Sequence, residues 1–325
     1  MDAIVIEQFG DAEVLRPGRV PDPPSRPGWT TVRLHSAALT WHDVLVRRGL
    51  YASPLPHVPG ADGAGTTPDD EPVVILPALF WGARAAAPAA GWELLGDARH
   101  GTYAQFVSVP DECVAPRPAG FSWAEAAALS LVGATAFRAL VTRAKLTAGE
   151  SVLILGAGGG LAPGATAIAK AIGALPFVTS SSDEKIAVAQ SHGAVAGVRY
   201  TDEDWIDQAR AMSPGGDGYD VVLDSVGTWE ESLRALRPGG RLVVLGASQA
   251  EQATLTARPF YFGQYSLLGT TIGSPADFLG LFGLVAEGRL GAPTIDSAFA
   301  LSDAAAAHRH LESGHAYGKI VLLVA

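Results

Sequence analysis

Leu153-Ile-Leu-Gly156-Ala-Gly158-Gly159-Gly160-Leu161-Ala162-Pro163-Gly164 is the stretch on which the reading of the fold turns. The apolar run at 152–155 predicts a strand, and the small residues at 164–172 predict a helix. Glycines between them allow a tight turn and a close approach of backbone to a pyrophosphate. The helix N-terminus adds unpaired N–H groups and the positive end of its dipole. Pro163 in the first turn costs little, because its missing N–H would have no partner there. The spacing Gly156-x-x-Gly159-x-x-Ala162 departs from Gly-x-Gly-x-x-Gly, and glycines also make plain turns. The context of strand, loop and helix therefore carries the reading, and it makes Gly156, Gly158, Gly159, Gly160 and Leu161 candidate cofactor contacts.

Downstream, apolar strands at 177–179, 221–223 and 242–245 alternate with helices near 183–191, 202–212 and 229–236. This rhythm predicts a parallel sheet covered on both faces. Upstream, short β-like runs at 31–35, 72–76 and 103–109 are separated by Pro- and Gly-rich turns, as in an irregular β domain. Ser122-Trp-Ala-Glu125 is a capping box leading into an Ala- and Leu-rich stretch, which places the domain boundary close to Gly120. Residues 1–6 read as a first strand rather than a signal peptide, and 319–324 as a last strand that rejoins the first domain. The expected fold is α/β: a doubly wound parallel sheet over 121–269, and a mainly β domain over 1–120 completed by 270–325.

A length of 325 residues suits two domains, each able to bury its own core. With 48% hydrophobic and 17% charged residues, and no uninterrupted apolar run near membrane-spanning length, the chain reads as soluble and globular. The single cysteine, Cys113, excludes an intrachain disulfide and a Cys-rich zinc module, and it points to a reducing, cytoplasmic compartment. A net charge of −10 without a basic cluster attracts no nucleic acid. Any bound phosphate must be held locally by backbone N–H groups and a few cations.

The end of the second strand selects the cofactor. An NAD site presents Asp or Glu about 20 residues beyond the glycine loop, to bond the ribose 2′-hydroxyl. Here the strand ends Thr179-Ser180-Ser181-Ser182; the first acid, Asp183, already belongs to the next helix, and Lys185 follows shortly. An uncharged strand end near a cation suits a 2′-phosphate and favours NADPH over NADH. The plainer alternative makes Ser182 a helix cap and Lys185 a solvated lysine.

Further segments run in a recognisable order: Ala38-Leu-Thr40-x-x-Asp43, Arg48-Gly49-Leu-Tyr51, Val58-Pro59-Gly60-Ala-Asp62-Gly63-Ala-Gly65, His100-Gly101-Thr-Tyr103-Ala104, and Gly133-Ala-Thr135-Ala136. Beyond the glycine loop come Asp224-Ser-Val-Gly227, Leu236-Arg-Pro-Gly-Gly240-Arg-Leu, Gly269-Thr-Thr-Ile-Gly273 and Gly318-Lys319-Ile-Val-Leu. In their order and spacing they resemble the medium-chain dehydrogenase/reductase superfamily, specifically its quinone-oxidoreductase-like branch, over nearly the full length. The resemblance implies a GroES-like catalytic domain made from both chain ends, a Rossmann domain inserted between them, and a cofactor in the cleft. It assigns the 2′-phosphate to Ser181, Lys185 and Tyr200, places Thr135 near the nicotinamide, and lines the cofactor groove with Gly246, Ala247, Thr270 and Thr271. Thr40 stands beside the nicotinamide where Asn is common in the zinc-free branch. Tyr51 matches a tyrosine that resembles the proton donor of zinc-free enoyl thioester reductases. A homodimer is implied by a strand matching 266–272, through which relatives pair their sheets edge to edge.

Zinc-dependent members of the superfamily use the metal as a Lewis acid on a carbonyl or alkoxide, held by a Cys and a Gly-His-Glu segment. The matching positions here are Thr40 and Gly60-Ala61-Asp62, and the segment between Pro77 and His100, where a four-cysteine lobe would lie, has no cysteine. No metal is expected. The eight histidines show no ligand spacing beyond His308-x-His310, which is expected on a surface helix, and solvated or capping roles are the better reading; His42, at the cleft by resemblance, is the most interesting. Without zinc, hydride acceptors must already be electron-poor: quinones, α,β-unsaturated ketones or aldehydes, or enoyl thioesters. The expected function is an NADPH-dependent reductase of such small molecules. A zinc-type alcohol dehydrogenase and a catalytically idle NADPH-binding sensor are the alternatives.

Overall fold

The computed structural model describes residues 1–51, 53–247 and 252–324. Two compact units emerge: Met1–Ala134 with Gly273–Ala286 and Ala292–Ala325, and Thr135–Ile272 with Glu287–Gly291. The change of texture at Ser122 places a boundary near Gly120, whereas the first unit runs on to Ala134. Helix Trp123–Phe137 accounts for the difference, because Ala126, Ala127 and Ala128 pack against Ala38, Ala64 and Val321 of the first unit. The expected capping box begins that helix: the Ser122 N–H donates to Glu125 Oε2 at 2.7 Å, and the Glu125 N–H returns to Ser122 Oγ at 3.3 Å. Trp123–Arg143 amounts to 21 helical residues with a mean hydropathy of 1.4, long and apolar enough to cross a membrane. Uninterrupted apolar runs do not reveal it because Glu125 and Arg138 intervene. Some 72% of its apolar window is buried inside the protein, which is how a core helix sits.

In the first unit, the long strand Trp29–Ala38 is the organiser. It pairs antiparallel with Asp62–Thr66, Phe106–Pro110 and the C-terminal strand Lys319–Leu323, with Ala38 opposite both Asp62 and Val321. Alternation sets its inner face: Val32 and Leu34 are buried while Arg33 between them is exposed. Ile295–Ala300, parallel to the C-terminal strand, and then Pro72–Ile75 and Val114–Pro116 extend this mixed sheet. One apolar cluster joins Val32, Leu34, Ile75, Leu79, Leu95 and Val107; another joins Ile4, Ile6, Tyr103, Ile320 and Leu322, so both chain ends build one core. Ala78–Leu79 and Glu93–Leu94 close a small hairpin around the cysteine-free segment, where Trp81 is buried and its indole N–H donates to the Arg84 carbonyl at 3.1 Å.

The second unit is a parallel sheet, in which the described residues form six strands in the spatial order Ala196–Arg199, Leu175–Ser180, Ser151–Ile154, Tyr219–Asp224, Leu236–Val244, Ser266–Gly269. In chain order this is 3-2-1-4-5-6, the arrangement of a Rossmann domain, and the direction of winding reverses between the first and fourth strands. Helices Leu161–Ala171, Asp183–Ser191, Trp205–Met212 and Trp229–Ala235 connect the strands. Val152, Leu153, Val221, Val222, Leu242 and Val243 are shut off from water, which is why the inner strands read as continuous apolar runs.

Candidate active site

Ligands of doubly wound sheets lie outside the carboxyl ends of the strands, at the reversal point. The glycine loop starts there. Its base is fastened on both sides: the Leu155 N–H donates to the Leu223 carbonyl at 3.2 Å, the Ala157 N–H to the Thr179 carbonyl at 2.7 Å, and the Gly156 N–H to Thr179 Oγ1 at 3.2 Å. Gly156 has φ +79°, a region that strains side-chain-bearing residues, and open space beside it. Helix Leu161–Ala171 follows with Gly160 at its cap position, so no side chain competes for the first N–H groups.

A Cβ on Gly158 would come within 2.7 Å of Lys185 Cδ and 2.9 Å of its Nζ. The half-buried lysine therefore lies over the loop. Ser182 does cap helix Asp183–Ser191, its Oγ accepting the Lys185 N–H at 3.4 Å. Ser181 is exposed at the strand end, and Tyr200, also exposed, is held by its N–H to the Ser180 carbonyl at 3.0 Å. Arg199 stands opposite Ser180 in the sheet register, with its guanidinium 3.0 Å from Asp202 and 3.7 Å from Asp183. Sequence reasoning passed over Arg199, although its place at a strand end next to Tyr200 was an available signal. Two hydroxyls and two cations with no carboxylate on the second strand end form a donor set that fits a 2′-phosphate.

The remaining candidate residues follow the ends of neighbouring strands. Gly246 and Ala247 follow the fifth strand, and Thr270 and Thr271 follow the sixth, the Thr270 N–H donating to the Val244 carbonyl at 3.0 Å. Asp224 fastens the turn after the fourth strand, accepting the Val226 and Gly227 N–H groups at 2.7 and 2.8 Å and the Ser232 hydroxyl at 2.9 Å. Thr135, buried, opens this unit.

Thr40 and Tyr51 belong to the first unit. Thr40 precedes helix Trp41–Arg47, and both its N–H and its hydroxyl donate to Asp43 Oδ2, at 2.7 and 3.1 Å. Its hydroxyl hydrogen is thus engaged and its lone pairs are what it can offer a ligand. Burial raises the Asp43 carboxyl above its ordinary range, against the opposing pull of His42. Tyr51 is 40% exposed and packs edge-on against His42, with ring centroids 4.5 Å apart. Burial first, and then the Asp97 carboxylate, push its phenol above the ordinary tyrosine value, so it is protonated at neutral pH. The Asp97 partner of His42, at 2.5 Å, had no signal in the sequence, since it comes from the cysteine-free segment.

The positions matching a zinc ligand set are Thr40, Ala61 and Asp62. The Asp62 carboxylate is already closed: Lys319 Nζ lies 3.0 Å from Oδ2, the Leu131 N–H donates to Oδ1 at 2.7 Å, and the lysine also donates to the Leu39 carbonyl at 2.6 Å. Among the described residues no group of three His, Cys, Asp or Glu side chains could hold a metal ion.

Two expectations need correction. His308 is buried rather than solvated. On helix Ala304–Glu312 it shares the inner face with Ala304 and Ala307, and it sits 3.1 Å from the Tyr103 hydroxyl. His57 is also buried, its Nε2 bonded to the Gly96 carbonyl at 2.7 Å. Of the larger aromatic residues, Trp81 is core of the first unit, Phe260 and Tyr265 pack on the core of the second, and Tyr261 and Phe262 are exposed.

Comparison with known proteins agrees with this architecture. A family profile described as zinc-binding dehydrogenase matches residues 192–322, a stretch that leaves out Thr40, Ala61 and the cysteine-free segment. A quinone oxidoreductase of Pseudomonas aeruginosa is 32% identical over 92% of this chain and 93% of its own. A chloroplastic NADPH-dependent alkenal/one oxidoreductase of Arabidopsis thaliana is 29% identical over 99% of this chain and 79% of its own. Among solved structures, an NAD-dependent alcohol dehydrogenase superposes with a TM-score of 0.94 over all of both chains, at 36% identity.

Proposed function

The chain belongs to the medium-chain dehydrogenase/reductase superfamily, in its quinone-oxidoreductase-like branch, and from that premise we propose that it is a zinc-independent, NADPH-dependent reductase of quinones or α,β-unsaturated carbonyl compounds. That it is an oxidoreductase follows from its relatives. The observation that carries the finer reading is the closed Asp62–Lys319 pair beside Thr40 and Ala61, where a catalytic zinc would need open donors. Without Lewis-acid help the acceptor must already be electron-poor, and the residues' task is to bind, orient and protonate.

When bound, NADPH supplies the hydride. Gly156 to Leu161 would hold its pyrophosphate, and Ser181, Lys185 and Tyr200 its 2′-phosphate. An enone or enoyl thioester that has accepted hydride at its β-carbon is left as an enolate, and Tyr51 is the proposed donor of the missing proton. Quinones need no such donor, because their oxygens take protons from solvent.

The test follows NADPH consumption against quinones, enones and enoyl thioesters in parallel, with and without chelator, beside elemental analysis of the protein. Turnover that survives chelation in zinc-free protein is expected. One tightly held zinc per chain, lost together with activity, would refute the reading. Tyr51→Phe should lower enone turnover by roughly 10²-fold while leaving NADPH affinity unchanged. NAD-dependent alcohol oxidation is the second reading, favoured by the 36% identity to a structure bearing that name. Equal titration by NADH and NADPH, with turnover of simple alcohols, would establish it instead. A homodimer joined through the edge strand Ser266–Gly269 is part of the proposal, as is a reducing compartment for Cys113, whose thiol burial pushes up to about 12.

A further inference from the structure

The cysteine-free segment contributes a carboxylate for which the steps above have no use. Asp97 follows the short strand Glu93–Leu94, with its own N–H on the Leu94 carbonyl at 3.1 Å. It faces His42 on the first turn of helix Trp41–Arg47, Nε2 to Oδ1 at 2.5 Å, with the two side chains only 12% and 20% exposed. A carboxylate accepts, so Nε2 carries the hydrogen and the second nitrogen, Nδ1, is left over. Nδ1 has no hydrogen-bond partner among the described residues. The same imidazole carries the edge-on contact to Tyr51, whose hydroxyl is likewise unbonded among the described residues. Other titratable groups act on this cluster: Asp43 on the same helix, the Asp62–Lys319 pair of the sheet, and His57, which senses Asp97.

Electrostatics make the arrangement one-sided. A phenolate formed at Tyr51 would stand near the Asp97 carboxylate, which already disfavours it. The side chain that touches both is His42, and as imidazolium it offsets the carboxylate and carries a transferable proton.

We propose that His42, held by Asp97, is the relay that returns to Tyr51 the proton it gives to the reduced substrate. The inference rests on the reductase reading with Tyr51 as donor. In the step, the Tyr51 O–H bond breaks as a C–H bond forms at the enolate α-carbon. The imidazolium N–H then breaks as the Tyr51 O–H re-forms, directly or across one water, and the neutral imidazole regains a proton from solvent. Hydride and one proton enter the substrate, and the residues end as they began. His42 acts through Tyr51 and is a positioning residue in that sense.

The test uses His42→Gln, whose amide can still donate to Asp97, together with Asp97→Ala. Three readouts are needed: the pH profile of enone turnover, NADPH affinity, and the ring N–H signals of 15N-histidine-labelled protein without cofactor. Wild-type enone turnover should fall with rising pH, as proton return becomes limiting. His42→Gln should flatten that limb and lower kcat at least about tenfold with NADPH affinity intact, and quinone turnover should fall less. A slowly exchanging Nε2–H signal of His42 should be present in the wild type and missing in Asp97→Ala. An active enzyme whose enone kcat and pH profile are indifferent to His42→Gln overturns the relay alone. A His42 ring signal unchanged in Asp97→Ala also overturns it. A wild type silent toward every acceptor removes the reductase reading, and the relay with it.

Discussion

Replacing Lys185 by Ala removes the ammonium that lies over Gly158, at the acid-free end of the second strand. A charge-assisted contact to phosphate is worth about 1.5–3 kcal/mol, which corresponds to a loss on the order of 10- to 100-fold in NADPH affinity. The lower half of that range is expected, for two reasons. Lys185 is only half-buried and so partly screened, and Ser181, Tyr200 and Arg199 would remain as further donors to the proposed phosphate. NADH lacks the phosphate and should change by less than about twofold, because the glycine loop itself is untouched. Gly158→Ala supplies a second perturbation that keeps the charge. Its Cβ would press on Lys185 Cδ at 2.7 Å, and the flexible lysine should swing aside, weakening NADPH by less than the deletion does. The assay is a fluorescence titration of both cofactors at fixed ionic strength for wild type and both variants. Equal affinities of the wild type for the two cofactors, or parallel losses for both in Lys185→Ala, would show that the lysine contacts the pyrophosphate or nothing.

Three further outcomes are expected. Burial, helped by Arg47, lowers the His308 ring from about 6.5 to about 3, so the unfolded chain binds the extra proton between those values. Its share of stability is complete above pH 6.5 and is lost as pH falls, so urea unfolding from pH 7 to pH 5 should cost the wild type about 2 kcal/mol more than His308→Gln. An identical pH dependence in the variant would mean that the ring is solvated. Lys319→Ala strands the buried Asp62 carboxylate and should destabilise by roughly 3–5 kcal/mol, whereas Asp62→Asn with Lys319→Met should recover most of the loss; chemical denaturation of the single and double variants decides it. Light scattering at micromolar concentration should give a dimer, and Leu267→Lys on the edge strand Ser266–Gly269 should shift it toward monomer, while a monomeric wild type would end the edge-to-edge proposal.

The alternation of strand, glycine loop and helix was legible in the chain itself, because its period and punctuation are local. A fully buried parallel strand must be apolar throughout, and a tight turn facing a phosphate must do without side chains. The capping box at Ser122 and the acid-free end at Ser180 to Ser182 are local in the same way. The boundary was less legible: helix Trp123–Phe137 starts with one unit and ends with the other, a matter of which side its alanines pack against. His308 and His57 read as surface residues because a lone histidine carries no mark of burial, which depends on the face its element turns inward. Asp62 and Lys319 both stand in segments that resemble the family, yet their pairing across 257 positions exists only because the C-terminal strand returns to Trp29–Ala38 beside Asp62–Thr66. Asp97 and His42, 55 residues apart, likewise meet only after the cysteine-free segment has folded back onto helix Trp41–Arg47. Sequence by itself determined the two kinds of domain and the glycine loop, which follow from short-range periodicity. Tertiary structure alone decided which charges are paired, which histidines are dry and which carboxylate orients an imidazole, because those properties belong to distances between residues far apart in the chain.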